Sequence, residues 1–202
     1  MKKILFIVTI LVLSVFTTAC INNLAVQELN NKALEYMKKG DYENAISRLK
    51  SSADLDGTIF ETQYNLALAY TENEDYPEAI ETFEKAVKLR PDAPDAYYSM
   101  AVMYENYAKD LYAGNTKQQK DEQEHADDED EDEDVKPAPT NPDGSYKPTD
   151  EELTKVKEYY NSSIDNYNKY LELATTASDS AEVQSKIEEI QDKLQTLDAD
   201  SN

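Results

Sequence analysis

The chain is poor in the residues on which several kinds of chemistry depend. Its 202 residues hold one Cys, one His, four Gly and no Trp. A single cysteine excludes an intrachain disulfide, and one Cys with one His is too few for a zinc site. Four glycines leave no Gly-rich phosphate loop. Basic residues are scarce as well: 20 Lys and Arg stand against 42 Asp and Glu, a net charge of −22. Nucleic-acid binding needs clustered Lys and Arg on phosphates, so no nucleic-acid partner is expected. Past the N-terminus there is no Val/Ile/Thr-rich alternating segment, which argues against a sheet.

What remains is helix-forming: Ala, Leu, Glu, Lys and Gln dominate. All-α is therefore the expected class. Tyrosine is the abundant aromatic, 15 against 4 Phe. Tyr fills a helix–helix seam while keeping its hydroxyl wet.

The one long apolar run, Ile4–Phe16, follows Met1-Lys2-Lys3 and precedes Thr17-Thr18-Ala19-Cys20. A positive start, a short apolar stretch and small residues make a secretory signal; a spanning helix needs about 20 apolar residues. The only cysteine sits directly after the small residues. This resembles a bacterial lipoprotein signal, with Thr17 where that family usually has Leu. The resemblance implies a signal peptide at 1–19 and a lipidated Cys20, with palmitate-like acyl chains contributing about 0.8 kcal/mol per buried CH₂. It places the protein outside the cytoplasm on the cell membrane or, in a two-membrane organism, on the outer membrane, because Ile21 rather than Asp follows Cys20. An ordinary signal-peptidase site and an uncut anchor are the competing readings.

A phrase recurs at a fixed offset, the one that separates Ala45 from Ala79. Gly40-Asp41-Tyr42-Glu43-Asn44-Ala45-Ile46 aligns with Glu74-Asp75-Tyr76-Pro77-Glu78-Ala79-Ile80, and Ala33, Tyr36 and Leu49 align with Ala67, Tyr70 and Phe83. The offset carries again from Leu66, Ala67 and Tyr70 to Met100, Ala101 and Tyr104. A period of this length marks a stacked array in which each unit buries its apolar face on the next. The central unit, Thr62–Pro91, has two amphipathic stripes, a break at Asn73-Glu74-Asp75 where Asp75 can cap the second helix, and Pro91 as the stop. The pattern resembles the tetratricopeptide repeat, and that resemblance implies two antiparallel helices per unit with small residues at their crossing.

The third unit is split. Its first helix is expected over Asp95–Leu111. Its second resumes near Glu151 behind a Thr149-Asp150-Glu151-Glu152 capping box. Ser163 then takes the place that Ala79 holds in the central unit, displaced well beyond one period by the intervening segment. A last helix over Asp179–Leu197, with a cap at Asp179 and Glu182, would close the array. The expected organisation is a signal at 1–19, repeats 1, 2 and half of 3 over 20–112, an insert at 113–150, and the rest of repeat 3 with the cap over 151–202.

Within the insert, every position of Asp121–Asp134 except Gln123, His125 and Ala126 is a carboxylate. Pro137, Pro139, Pro142 and Pro148 follow, with a Pro142-Asp143-Gly144 turn. Such composition cannot bury enough apolar surface to order itself, so a mobile acidic loop is expected. A solvated spacer, a tether for a basic partner and weak calcium binding are its three readings; the spacing and turn Gly of an EF-hand loop are missing. No resident metal or other cofactor is expected.

The repeat resemblance implies a concave groove, lined by the first helix of each repeat, that holds a partner protein or peptide. The matching positions are Asn30, Leu34, Met37 and Lys38; Tyr64, Leu68 and Thr71; and Tyr98, Val102 and Glu105. The subfamily that clamps a C-terminal carboxylate uses Lys, Arg and Asn. Here Asn65 matches one such position while Asn30, Leu34, Asp95 and Ser99 hold the others, so no clamp is expected. Catalytic residues are not evident: the His lies in the insert and no Ser has a histidine partner. The function expected is that of a lipid-anchored envelope scaffold that holds a partner protein and assembles an envelope complex. An accessory acidic protein binding cations or cationic ligands through the insert is the alternative. Oligomeric state is left open.

Overall fold

The computed structural model describes residues 23–120, 140–141 and 145–199. Every long element among them is a helix. Helix α1 covers residues 23–37. It is followed by α2 (Tyr42–Leu55), α3 (Phe60–Glu72), α4 (Tyr76–Leu89), α5 (Pro94–Ala113), α6 (Asp150–Leu173) and α7 (Ser180–Ala199). The helices pair as α1/α2, whose Ala33 and Ala45 share one buried cluster, α3/α4 and α5/α6, and α7 closes the array on α6. The described residues thus form an all-α solenoid of three helix pairs plus a capping helix.

Small residues sit where the paired helices cross. Ala33, Ala45, Ala67, Ala79 and Ala101 are all fully buried. Ser163 stands at the third crossing and donates its hydroxyl to the carbonyl of Ala101 at 2.8 Å. A side chain of this size lets the backbones approach, and the carbonyl satisfies the one polar atom added. Larger side chains fill the seams: Leu49, Phe83 and Tyr167 are completely buried. One apolar cluster spans repeats 1 and 2, and a second joins α5, α6 and α7. They meet across α5, which turns Met100 and Met103 to the first and Ala101, Ala108 and Leu111 to the second.

The hairpin turns reuse one backbone conformation. Gly40 ends the first turn at φ 72°, and Glu74, its counterpart in the second repeat, holds φ 60°. In both turns the residue after that position donates back to a tyrosine carbonyl, Asp41 to Tyr36 and Asp75 to Tyr70. The next equivalent position is Ala108, fully buried inside α5. With no left-handed cap there, α5 runs on to Gly114, which ends it at φ 73°. This makes α5 a 20-residue helix where α3 has 13.

Stacked tyrosines tie the second and third repeats together. Tyr76 of α4 stacks on Tyr107 of α5 at 4.7 Å, and Tyr107 stacks on Tyr159 of α6 at 4.3 Å. The Tyr76 hydroxyl donates to Asp110. Burial, then that bond and the carboxylate's charge, hold the Tyr76 hydroxyl far above its ordinary pKa, so it stays a donor.

One capping expectation differs from what is seen. Thr149 and Glu152 do form the reciprocal capping box of α6. Asp75 occupies the N-cap of α4, but its side chain makes no cap bond. Its carboxylate is taken instead by Lys117 at 2.7 Å and Asn73 at 2.7 Å. The Asp179 carboxylate accepts from the Tyr170 hydroxyl at 2.8 Å. In both cases a neighbouring donor meets the carboxylate.

The margins of the insert are folded, where composition pointed to a mobile loop. Thr116 and Gln119 are buried on the end of α5. The Gln119 amide donates to the Leu111 carbonyl (3.2 Å), the Tyr146 hydroxyl (3.0 Å) and Glu152 (2.7 Å). Tyr146 donates to the same carboxylate at 2.5 Å. Burial opposes ionisation of Glu152. The bonds from Tyr146, from the Thr149 N–H and hydroxyl and from Gln119 outweigh it and hold the carboxyl below its usual range. This contribution is present at neutral pH and is lost only as pH falls through the lowered value. Lys117 and Lys120 reach back to Asp75 and Glu74 in the α3–α4 turn. The acidic run Asp121–Asp134, His125 and the Pro142-Asp143-Gly144 turn lie outside the described residues, as do the apolar N-terminal run and Cys20.

Candidate groove and its tyrosine-lined cleft

The first helices of the pairs lie side by side, with Asn30 of α1 reaching Thr62 of α3. Helix α3 packs directly on α5. On the opposite side a shallow cleft of about 220 Å³ opens between α2 and α4, with α3 at its floor. The face away from that cleft carries α1, α3 and α5, the side on which the repeat resemblance sets the inner wall.

Along that wall the sequence-derived positions fall into two groups. Met37, Tyr64, Leu68, Tyr98 and Val102 are half-buried, packed on the core clusters with part of their surface open. Leu34 and Lys38 are exposed on α1 and the turn after it. The others find partners inside the fold. Asn30 lies 2.8 Å from the Ser52 hydroxyl and 2.9 Å from that of Thr62. It stands where Tyr64 and Tyr98 stand in the later repeats, and its amide fills the space with bonds to α2 and α3. Thr71 returns its hydroxyl to the Ala67 carbonyl at 2.9 Å. Glu105 is buried in the α5–α6 seam, paired with Lys109 at 2.5 Å and accepting from Tyr167 at 3.3 Å.

A shallow cleft of about 230 Å³ on this wall is lined by Tyr64, Asp95, Tyr98, Ser99, Tyr170 and Asp179. The Tyr64 and Ser99 hydroxyls share a hydrogen bond at 3.0 Å, which fixes the Tyr64 ring between α3 and α5. That ring stacks on Phe60 (5.6 Å) and lies edge-on to Phe83 (6.2 Å). Tyr98 is edge-on to both Tyr167 (5.6 Å) and Tyr170 (5.3 Å). Tyr170 is pushed up to about 12 by its bond to Asp179, by burial and by the charges of Asp179 and Asp95. Rings packed in this way are pre-organised and lose little entropy when a ligand arrives. Asp95 and Ser99 stand at positions that the clamp comparison singled out, whereas Tyr170 and Asp179 were not among the groove positions expected from the repeat. Tyr170 and Asp179 come from α6 and the α6–α7 turn, which a rule based on first helices does not reach.

Among the described residues no group of His, Cys, Asp and Glu is placed to hold a metal ion. No helix among them is long and apolar enough to cross a membrane.

Two segments match models of the tetratricopeptide repeat, residues 29–58 and residues 68–106. The first TPR of Spaghetti (RPAP3), solved with the HSP90 peptide SRMEEVD, is similar in structure at a TM-score of 0.50 and 18% identity, covering 85% of this chain and 94% of that one. A Bacteroides ovatus protein, named as a candidate protein-binding protein, matches at 15% identity over 84% of this chain and 98% of that one, with a TM-score of 0.21. At these identities the first likeness shows the fold, and the second carries no argument. No curated protein matches the chain by sequence.

Proposed function

We propose that the protein is a non-catalytic scaffold that holds a segment of a partner protein along the inner face of α3 and α5, close to a membrane. The observation that carries this reading is the row of half-open apolar and aromatic side chains, Tyr64, Leu68, Tyr98 and Val102, on adjacent first helices. Such a row matches the way an amphipathic segment is taken up in a groove. The rings are rigid and large, which makes them the expected anchors of binding energy. With a photo-crosslinking residue at Val102, the intact protein should capture a partner. The combined Tyr64→Ala and Tyr98→Ala variant should lose that capture by at least tenfold, since each lost anchor costs about 1–2 kcal/mol. Undiminished capture would reject the groove as the site.

The membrane part of the reading rests on Cys20. Its support is sequence alone: one cysteine in the whole chain, placed directly after Thr17-Thr18-Ala19 and a short apolar run. Labelling with an alkyne fatty acid should mark the protein, and Cys20→Ser should abolish both the label and sedimentation with membranes. A labelled Cys20→Ser variant would place the lipid elsewhere.

A further inference from the structure

The cleft between Tyr64 and Tyr98 has a chemistry of its own. Its lining brings three tyrosine rings and two carboxylates, Asp95 and Asp179, into one concavity, and among the described residues no cation lines it. Asp95 is exposed in the first turn of α5. Asp179 accepts from Tyr170 and keeps further lone pairs for a second donor. Tyrosine faces attract a cation through their quadrupole, and a carboxylate at the ring edge adds charge-assisted hydrogen bonds.

The chain itself shows this combination one ring away. The Arg90 guanidinium lies 4.0 Å from the centroid of Phe60 while its Nη2 bonds Glu61 at 2.6 Å. Phe60 in turn stacks on Tyr64. An arginine held by a ring and a carboxylate therefore already ends the aromatic row. The cleft at its other end offers the same pair of partners, with no Lys or Arg among the described residues that line it.

We infer that this cleft takes a cationic side chain, an arginine of the partner segment, with its guanidinium over Tyr64 or Tyr98 and its N–H groups on Asp95 and Asp179. The inference rests on the groove reading above and names the chemistry of its ligand. Charge complementarity selects it: the lining is acidic, the whole chain carries −22, and an acidic peptide would meet repulsion here. Guanidinium is favoured over ammonium because it is planar, weakly hydrated and forked.

The probe is the capped heptapeptide Ac-Ala-Leu-Gly-Arg-Gly-Leu-Ala-NH₂, compared with copies carrying citrulline or glutamate in place of arginine. Each is titrated into isotope-labelled intact protein and followed by NMR. The arginine peptide should shift the amides of Ser99 and Asp179. Citrulline, which keeps the shape and loses the charge, should bind roughly tenfold more weakly, as should the arginine peptide to Asp95→Asn. The glutamate peptide should be weakest. Equal affinity for arginine and citrulline, tighter binding of glutamate, or no shift with arginine would each overturn the inference. A second arm separates this failure from that of the groove itself. Asp95→Lys should cut partner capture at Val102 severalfold. Capture at Val102 that ignores Asp95→Lys removes the cation site and leaves the groove, while no capture at Val102 in either protein removes both.

Discussion

Phe83→Ala will lower the unfolding free energy by about 3–5 kcal/mol, the range for emptying a fully buried aromatic site. Phe83 is completely buried in α4, within the cluster that joins repeats 1 and 2. Its helix packs on both α3 and α5, so a cavity here is bordered by helices that cannot collapse independently. In a solenoid each unit is held by its neighbours, and damage to the middle unit uncouples both ends. The same substitution should also weaken the inner wall, because the Tyr64 ring rests edge-on against Phe83. Chemical denaturation followed by circular dichroism measures the first effect. Lys85→Ala, an exposed change on the same helix, should stay within about 0.5 kcal/mol. A loss below about 1 kcal/mol for Phe83→Ala would mean that the central seam is not the one described.

Gly114→Ala should be the second most damaging change, and its effect should be local. Gly114 holds φ 73°, which costs an L-residue roughly 1–2 kcal/mol. An added Cβ would also lie 2.5 Å from Cγ of Tyr146, at the root of the ring rather than at its flexible tip. Overpacking of this kind costs about 1–3 kcal/mol. The ring must leave, and with it goes the bond to Gln119 and the one to Glu152. Hydrogen exchange should therefore speed up in residues 116–120 and at the start of α6, while α2, α3 and α4 keep their protection. Tyr146→Ala in the Gly114→Ala background should recover the clash component. Unchanged exchange at Gln119 would show that Tyr146 does not lock the insert margin.

The repeat and the cap were readable because periodicity reports which face of a helix is buried. Ser163 could be matched to Ala79 across the insert, and the structure sets it at the third crossing with its hydroxyl on Ala101. Thr149 and Glu152 were legible as a capping box because that motif is local in sequence. Periodicity does not report which polar groups find each other. Asn30 lies on the expected face of α1, yet its partners are Ser52 and Thr62 on other helices. Glu105 follows the same face to a seam where Lys109 and Tyr167 hold it. The folded margins of the insert escaped for a similar reason. Gln119 is far in sequence from Tyr146 and Glu152, and each looks ordinary in a polar stretch. The cleft escaped because part of its lining comes from α6 and the turn after it.

On the proposed function, the partner sits along the inner wall. The direct measurement places one photo-crosslinking residue at a time in the intact protein: at Leu68 and Val102 on the inner wall, and at Lys50 and Glu81 beside the outer cleft. The same partner should be captured from Leu68 and Val102, and capture from Lys50 and Glu81 should stay at background. Capture from Lys50 or Glu81 with none from Leu68 and Val102 would move the binding face to the outside of the solenoid.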